Sequence, residues 1–378
     1  MFPGFVRSKK AETMMYSSRF LALALILLAI VLSACADEHK PSQWSSRDQS
    51  IVPTTNDPTA LHTTKSSGPP LAVQNPDLQI AAIEVLDQAA VSDDALMRAN
   101  AIEALQSTTE PLREAVLRGL VDPNEGVRFV AAMSVGRGNL CGVSHLLRPL
   151  LEDPSNSVRA AAIYAMASCG DEVDINPLAG YIISDRSADR ANAAMVLAEL
   201  GNNTAIPVIR NGMGRDFRSY DPARSRTIDL LMAESLVRLG DRRELEAIRA
   251  ALFAPPEHSE MTALACQMLA RLDDRAAIPN MYDLASGEGP RKAGPELRLV
   301  AATALAQLQP DLVPMELVIT QLGSEQPGVR LQVANVLGGL GNPDYEPQLA
   351  ILLNDEDPHV QVASAAAILK VGQRIAAR

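Results

Sequence analysis

Four groups of residues in this chain carry chemistry that a plain helical sequence does not need. Cys35 follows Leu32-Ser33-Ala34 behind a 13-residue apolar run, Phe20 to Leu32, so its thiol stands where an exported chain can be acylated. An Arg recurs at Arg98, Arg128, Arg159, Arg190, Arg298 and Arg330, usually beside an apolar residue. Five more Arg residues (Arg210, Arg215, Arg218, Arg224, Arg226) crowd one short segment together with Phe217 and Tyr220. Guanidinium groups with aromatics suit carboxylates, phosphates, sulfated glycans or an acidic protein patch. The last group is a pair of thiols, Cys141 and Cys169.

Catalysis and metal binding need clusters, and the sequence has none. His39, His62, His145, His258 and His359 are scattered, without His-x-x-x-His or Cys-x-x-Cys spacing, and Ser-centred elbows and phosphate loops are missing. No catalytic residue, metal site or cofactor is expected. Removing residues 1–34 leaves 30 basic against 44 acidic side chains, a net charge of −14. Aromatics make up 3% of the chain, and Trp44 is its one Trp. A backbone-tracking nucleic-acid binder needs a basic stripe and stacking rings, so nucleic acid is not expected as a partner.

The elements that must position these groups follow from a repeat. The Arg column and its equivalents fall at 98, 128, 159, 190, 229, 262, 298, 330 and 361, giving spacings of 30, 31, 31, 39, 33, 36, 32 and 31. Eight positions after the residue that precedes the column, every unit is apolar: Leu105, Val135, Met166, Leu197, Leu236, Leu269, Leu305, Leu337 and Ile368. Such a period means stacked helix pairs. In the third unit Asp153 is expected to cap the first helix, Pro154 to open it and Gly170 to stop it, and Asp122-Pro123 repeats the pattern in the second. A second helix opens at Ile206-Pro207, Ile278-Pro279 and Val313-Pro314, with Pro177 and Pro347 in the same place.

Asp-Pro-x-x-x-Val-Arg, an Ala-rich helix, Gly, then Ile-Pro resembles the short bacterial HEAT-like repeat, the variety first described in phycobilisome lyases. The resemblance covers about 300 residues. It implies an all-α fold, a right-handed α-solenoid of about nine helix-pair repeats over 75–378, while composition ahead of it reads as a signal peptide (1–34) and a disordered Ser/Thr/Pro-rich tether (35–74). It also implies that the Arg column is structural. Arg128, Arg159, Arg190, Arg298 and Arg330 are expected to pair with an Asp near a helix start, with Asp122, Asp153, Asp185 and Asp357 placed for it.

Leu32-Ser33-Ala34-Cys35 resembles the bacterial lipobox, which implies cleavage before Cys35 and a lipid anchor. The expected location is a membrane surface facing the periplasm or cell exterior. Ala36 rather than Asp after the Cys implies the outer membrane, by a rule that holds in enterobacteria. The long stretch before the apolar run also leaves Met14 or Met15 as the start of translation. The tether would reach about 35 Å.

The breaks in the period are the remaining signals. The 39-residue interval inserts a loop between Arg210 and Arg226, the candidate recognition segment, against the plainer reading of a solvated loop whose Arg residues pair with Asp216 and Asp221. A smaller insert, Ser286 to Glu296, carries Arg291 and Lys292, while Pro255-Pro256-Glu257 reads as a lengthened turn. A helix from Asn75-Pro76 lacks the Arg pattern and is expected to cap the array alone. The last first-type helix, Pro358 to Val371, has no following partner and is expected to dock another chain or copy. Cys141 and Cys169 can lie in adjoining layers and bond. The favoured reading is two separate small thiols in Ala-rich packing.

The function these signals favour is a membrane-tethered, non-enzymatic scaffold binding a protein or peptide on the concave second-helix surface and at the Arg insert. The alternatives are a lyase-type enzyme subunit holding a substrate in the groove, and binding of anionic glycan or cell-wall polymer through the insert.

Overall fold

A computed structural model describes residues 75–214, 222–289 and 292–376. Three of its helices begin where short polar side chains satisfy their first N–H groups: Asn75 accepts from Leu78, Asp94 from Leu96, and Asn124 from Gly126 and Val127. The Asp-Pro pairs lie just upstream of the starts instead of forming them. After Asp153-Pro154 the helix runs Asn156–Ser168, and the Asp153 carboxylate accepts the N–H of Ser155 at 2.9 Å. The helix opens later than expected because Asp153 is held in an extended turn by its other partner, the Arg of the preceding repeat.

The described residues contain no strand and seventeen α-helices. First-type helices are α2 (Ala95–Ala104), α4 (Glu125–Arg137), α5 (Asn156–Ser168), α7 (Ser187–Glu199), α9 (Pro222–Arg238), α11 (Ser259–Arg271), α13 (Pro295–Leu308), α15 (Pro327–Leu340) and α17 (Pro358–Ala376). Second-type helices are α1 (Pro76–Ala89), α3 (Glu110–Gly119), α6 (Pro177–Tyr181), α8 (Ile206–Gly212), α10 (Leu245–Ala251), α12 (Ile278–Ser286), α14 (Met315–Gln321) and α16 (Glu346–Leu353). In the second unit that place is taken by a 3₁₀ segment, Cys141–Glu152, whose Pro149 has no N–H to donate. Six of the first-type helices stop at a residue with positive φ, Gly170 at 79° and Gly201 at 66° among them, with Asp273 in the same conformation at 48°.

Small residues decide the curvature. A Cβ on Gly136 would lie 2.6 Å from the Tyr164 ring, and one on Gly338 would lie 2.8 Å from the Cα of Ala367. Neighbouring first-type helices therefore approach more closely than side chains normally allow, and the array bends with those helices inside. Two ion pairs confirm the tightness of the bend: Arg137 to Glu199 at 3.0 Å and Glu125 to Arg186 at 2.6 Å join the second unit to the fourth, bypassing α5. The concave side belongs to the first-type helices, so the expected concave second-helix surface is corrected. The second-type elements face outward and carry the exposed large apolar side chains, from Ile80 on α1 to Ile351 on α16.

The bend closes the chain into a ring. Helix α17 packs on both α1 and α2, and α16 meets α1. The Glu346 carboxylate accepts the backbone N–H of Asn75, His359 Nε2 lies 3.7 Å from Asp94 Oδ2, and Gly372 leaves room for the Gln79 side chain. The lone second-type helix at the start is thus the missing partner of the lone first-type helix at the end. The expectation that α17 docks another chain is overturned: Val362, Ala363 and Val371 are each 1% exposed, covered from within. A sequence period carries no curvature, and curvature is what brings the ends together.

Candidate binding site on the ring

The Arg column forms a ladder along one rim of the ring, where second-type elements turn into first-type helices. Five of its six Arg residues donate to the carbonyl six residues earlier, Arg98 to Ser92, Arg128 to Asp122, Arg159 to Asp153, Arg190 to Ser184 and Arg330 to Ser324, at 2.7–2.8 Å. Three of them also reach the next repeat: Arg98 binds Asp122 at 2.7 Å, Arg128 binds Asp153 at 2.8 Å and Arg330 binds Asp355 at 2.7 Å. Burial alone would raise these three carboxyls, but the facing guanidinium and a backbone N–H outweigh it and hold each below the ordinary Asp value. Arg159 donates to the Tyr181 hydroxyl, with its guanidinium 5.5 Å from that ring, and Arg298 donates to the Ala285 and Ser286 carbonyls.

Two expected acidic partners take other places. Asp185 is exposed, and Asp357 accepts the N–H of His359 while Asp355 bridges to Arg330. The fully buried carboxylate here is Asp189, which accepts from the uncharged Asn156, Ser157 and Ser184 at 2.8–3.0 Å and not from an Arg of the column. It sits in the apolar position before Arg190, where the repeat pattern gave no reason to look for a carboxylate.

The ladder lapses in two consecutive units. Asp229 and Thr262 occupy the Arg column there: Asp229 accepts the N–H of Gly214 at 2.9 Å, and Thr262 donates to the Ala251 carbonyl at 3.3 Å. Neither is long enough to fill the space an Arg fills. Two clefts open in this stretch of the rim. One, of about 320 Å³, has a floor of alanines (Ala233, Ala247, Ala250, Ala251) and has Arg226 and Asp229 at its edge. The other, of about 230 Å³, lies between the N-termini of α11 and α13 and includes Pro256, Ser259, Lys292 and Glu296. Burial pushes the Glu296 carboxyl above its usual value. The turn at Pro255-Pro256, read from sequence as a mere lengthening, is the ridge between the clefts, Pro255 facing one and Pro256 the other.

Of the candidate recognition segment, Arg226 is exposed at the first cleft, and Arg210 pairs instead with Asp241 and, at 3.5 Å, with Glu244. Arg215, Phe217, Arg218 and Tyr220 lie outside the described residues, as do the Arg224 side chain, Cys35, the apolar run and the tether.

The inner face is a packed charge network. Glu199 is held between Arg137 and Arg238, and Arg271 binds Glu234 at 2.7 Å. Burial drives the Glu103 carboxyl well above its ordinary value, against the attraction of Arg137 and Lys370. Asn100, 1% exposed, has no hydrogen-bond partner for either side-chain atom among the described residues. Among the described residues no group of three or more His, Cys, Asp and Glu is arranged to hold a metal.

Cys141 and Cys169 are bonded, with Cα atoms 5.3 Å apart. The sequence favoured separate thiols because spacing alone could not show that the 3₁₀ segment starts beside the end of α5.

A family description for HEAT repeats matches residues 109–198, 143–231 and 315–378. No curated protein matches the sequence. Among solved structures, the chain is similar to an engineered protein at 16% identity and TM-score 0.31, covering 78% of this chain and 93% of that one. It is also similar to importin beta (16% identity, TM-score 0.32, 74% of this chain and 43% of that one). A third is the karyopherin Kap121p bound to the extreme C-terminus of the phosphatase Cdc14p (11%, TM-score 0.31, 79% and 38%). The chain spans less than half the length of these two karyopherins.

Proposed function

We propose that this chain, a HEAT-repeat protein, is a non-enzymatic scaffold tethered to a membrane through Cys35, holding a protein partner on the outside and rim of its ring. The observation that carries the reading is where apolar surface remains. Val121 is 81% exposed, Phe253 67%, Val91 62% and Ile351 61%, all on second-type elements or the turns that follow them, while the first-type helices are buried against one another. Contacts spread around an outer surface suit extended, multi-point binding of another protein.

Export is supported by the Cys141–Cys169 bond, since disulfides persist in oxidising compartments. No helix of the described residues is long and apolar enough to cross a membrane. Attachment in this reading is by an acylated Cys35. Crosslinking of the tethered protein in its native cells, followed by pull-down, tests the reading. A scaffold retains a stoichiometric protein partner, and recovery of none sinks it. Labelling with a fatty-acid analogue tests the anchor, which fails if label is absent or persists in Cys35→Ala.

A further inference from the structure

Resting on the scaffold reading, the rim at units one to four specifies the chemistry of the partner it would hold. Arg98, Arg128, Arg159 and Arg190 each donate to the carbonyl six residues back, which fixes the residue just before that carbonyl in place on the rim. Those residues are Val91, Val121, Glu152 and Ile183, and all four are exposed. Two positions further on stand Asp93, Pro123, Pro154 and Asp185, exposed as well. Both rows are therefore apolar or acidic in every unit, with no base in either. Large apolar side chains left exposed in register mark a surface for another molecule.

Charge selects that molecule. Residues 75–200 carry 18 acidic and 9 basic side chains and no Lys, against 22 and 18 over 201–378. Most of the nine bases are already bound. The ladder takes four, Glu199 holds Arg137 at 3.0 Å, and Glu125 holds Arg186, beside Asp185, at 2.6 Å. Arg113 and Arg118 lie against Glu110 and Glu114 of their own helix, α3. The ninth, Arg148, is exposed on the 3₁₀ segment. Asp93 feels the charge of Arg98, but that guanidinium is bound by Asp122 and the Ser92 carbonyl. Asp93, Glu152 and Asp185 have no ion pair among the described residues. A rim of this sign repels anionic lipid and acidic protein, and complements Lys and Arg.

Spacing limits the partner further. Stacked layers lie about 8–10 Å apart, and residues seven apart on a helix recur on one face about every 10.5 Å. A helix laid along the rim can thus put one side chain on each layer. We infer that the rim of units one to four binds a cationic amphipathic helix of a partner protein. Its apolar residues, seven apart, lie against Val91, Val121 and Ile183, and its Lys or Arg side chains against Asp93, Glu152 and Asp185.

Fluorescence anisotropy of the full chain with labelled synthetic peptides tests this. The probe is three repeats of Leu-Lys-Ala-Gln-Ala-Ala-Lys, compared with a version carrying Ser for every Leu and a version carrying Glu for every Lys. The cationic-apolar peptide is expected to bind about tenfold more tightly than either control. Val121→Ser with Ile183→Ser should weaken it about tenfold with unchanged helicity, and so should Glu152→Lys with Asp185→Lys. Glu172→Lys with Asp311→Lys changes net charge equally at exposed positions on the opposite rim, and should leave binding within about twofold.

Equal binding of the three peptides overturns the inference, as does wild-type affinity in both variants of the binding rim. Equal weakening by the two charge reversals would mean attraction to the overall charge of the chain, and overturns it too. A dimer in sedimentation that Val121→Ser with Ile183→Ser converts to monomer would make a second copy the occupant, with the same consequence. If the crosslinked partner is retained undiminished by both variants of the binding rim, the scaffold reading stands and this inference falls. If no stoichiometric partner is recovered at all, the scaffold reading falls, whatever the peptides do.

Discussion

Arg330 and Asp355, each 9% exposed on its side chain, are bound on two oxygens at 2.7 Å, and losing one partner would strand the other. Arg330→Met is therefore expected to cost about 3 kcal/mol in urea denaturation. Loss of the exposed Arg113–Glu110 pair, 3.7 Å apart, should cost next to nothing. The pH dependence follows the same residues. Asp122, Asp153 and Asp355 have folded values below the ordinary 3.8, so their contribution is present at neutral pH and is lost as pH falls below that value through the folded ones. Glu103 works the other way. Its folded value lies well above 4.5, so the fold is favoured while it is protonated and loses stability as pH rises from about 4.5 through the folded value. Glu103→Gln should raise the unfolding midpoint at pH 7 and leave it unchanged at pH 4. A variant no more stable than wild type at pH 7 would contradict the dry burial of that carboxyl. The column itself was legible in sequence, because Arg recurs at a fixed offset; the partner Asp355 was not, since it and Asp357 both precede the same helix.

The helices and their pairing were legible too, because the 3.6 period, Pro at second-helix starts and Gly at first-helix stops act locally. What the sequence could not place were contacts set by three-dimensional approach. The 3₁₀ segment Cys141–Glu152 is one case: its first residue bonds to the end of α5 across a 28-residue separation. Reduction is expected to lower stability by about 2–4 kcal/mol, seen as a shifted denaturation midpoint that Cys141→Ser reproduces and that reductant does not add to. The close passage of α4 and α5 is another. Gly136→Val would press on the Tyr164 ring and the Ala165 backbone, and should cost about 2–3 kcal/mol. If it were neutral, the argument that small residues set the bend would lose its basis.

Closure gives the whole molecule its functional geometry. It covers α17 and turns the second-type elements, with their exposed large apolar side chains, outward. The breaks in period were visible in sequence as the place where recognition was expected, but the clefts were not, because they form between segments that meet only in the fold. Ring closure is also the claim most open to direct measurement. Ile80 on α1 and Ile351 on α16 are exposed and lie on helices that meet across the seam. Spin labels at Ile80→Cys and Ile351→Cys, in a Cys35→Ser background, report their separation by double electron–electron resonance. A closed ring predicts one narrow distribution below about 30 Å. An open array of nine layers spaced about 8–10 Å apart would put the labels beyond about 60 Å, and that result would contradict the account.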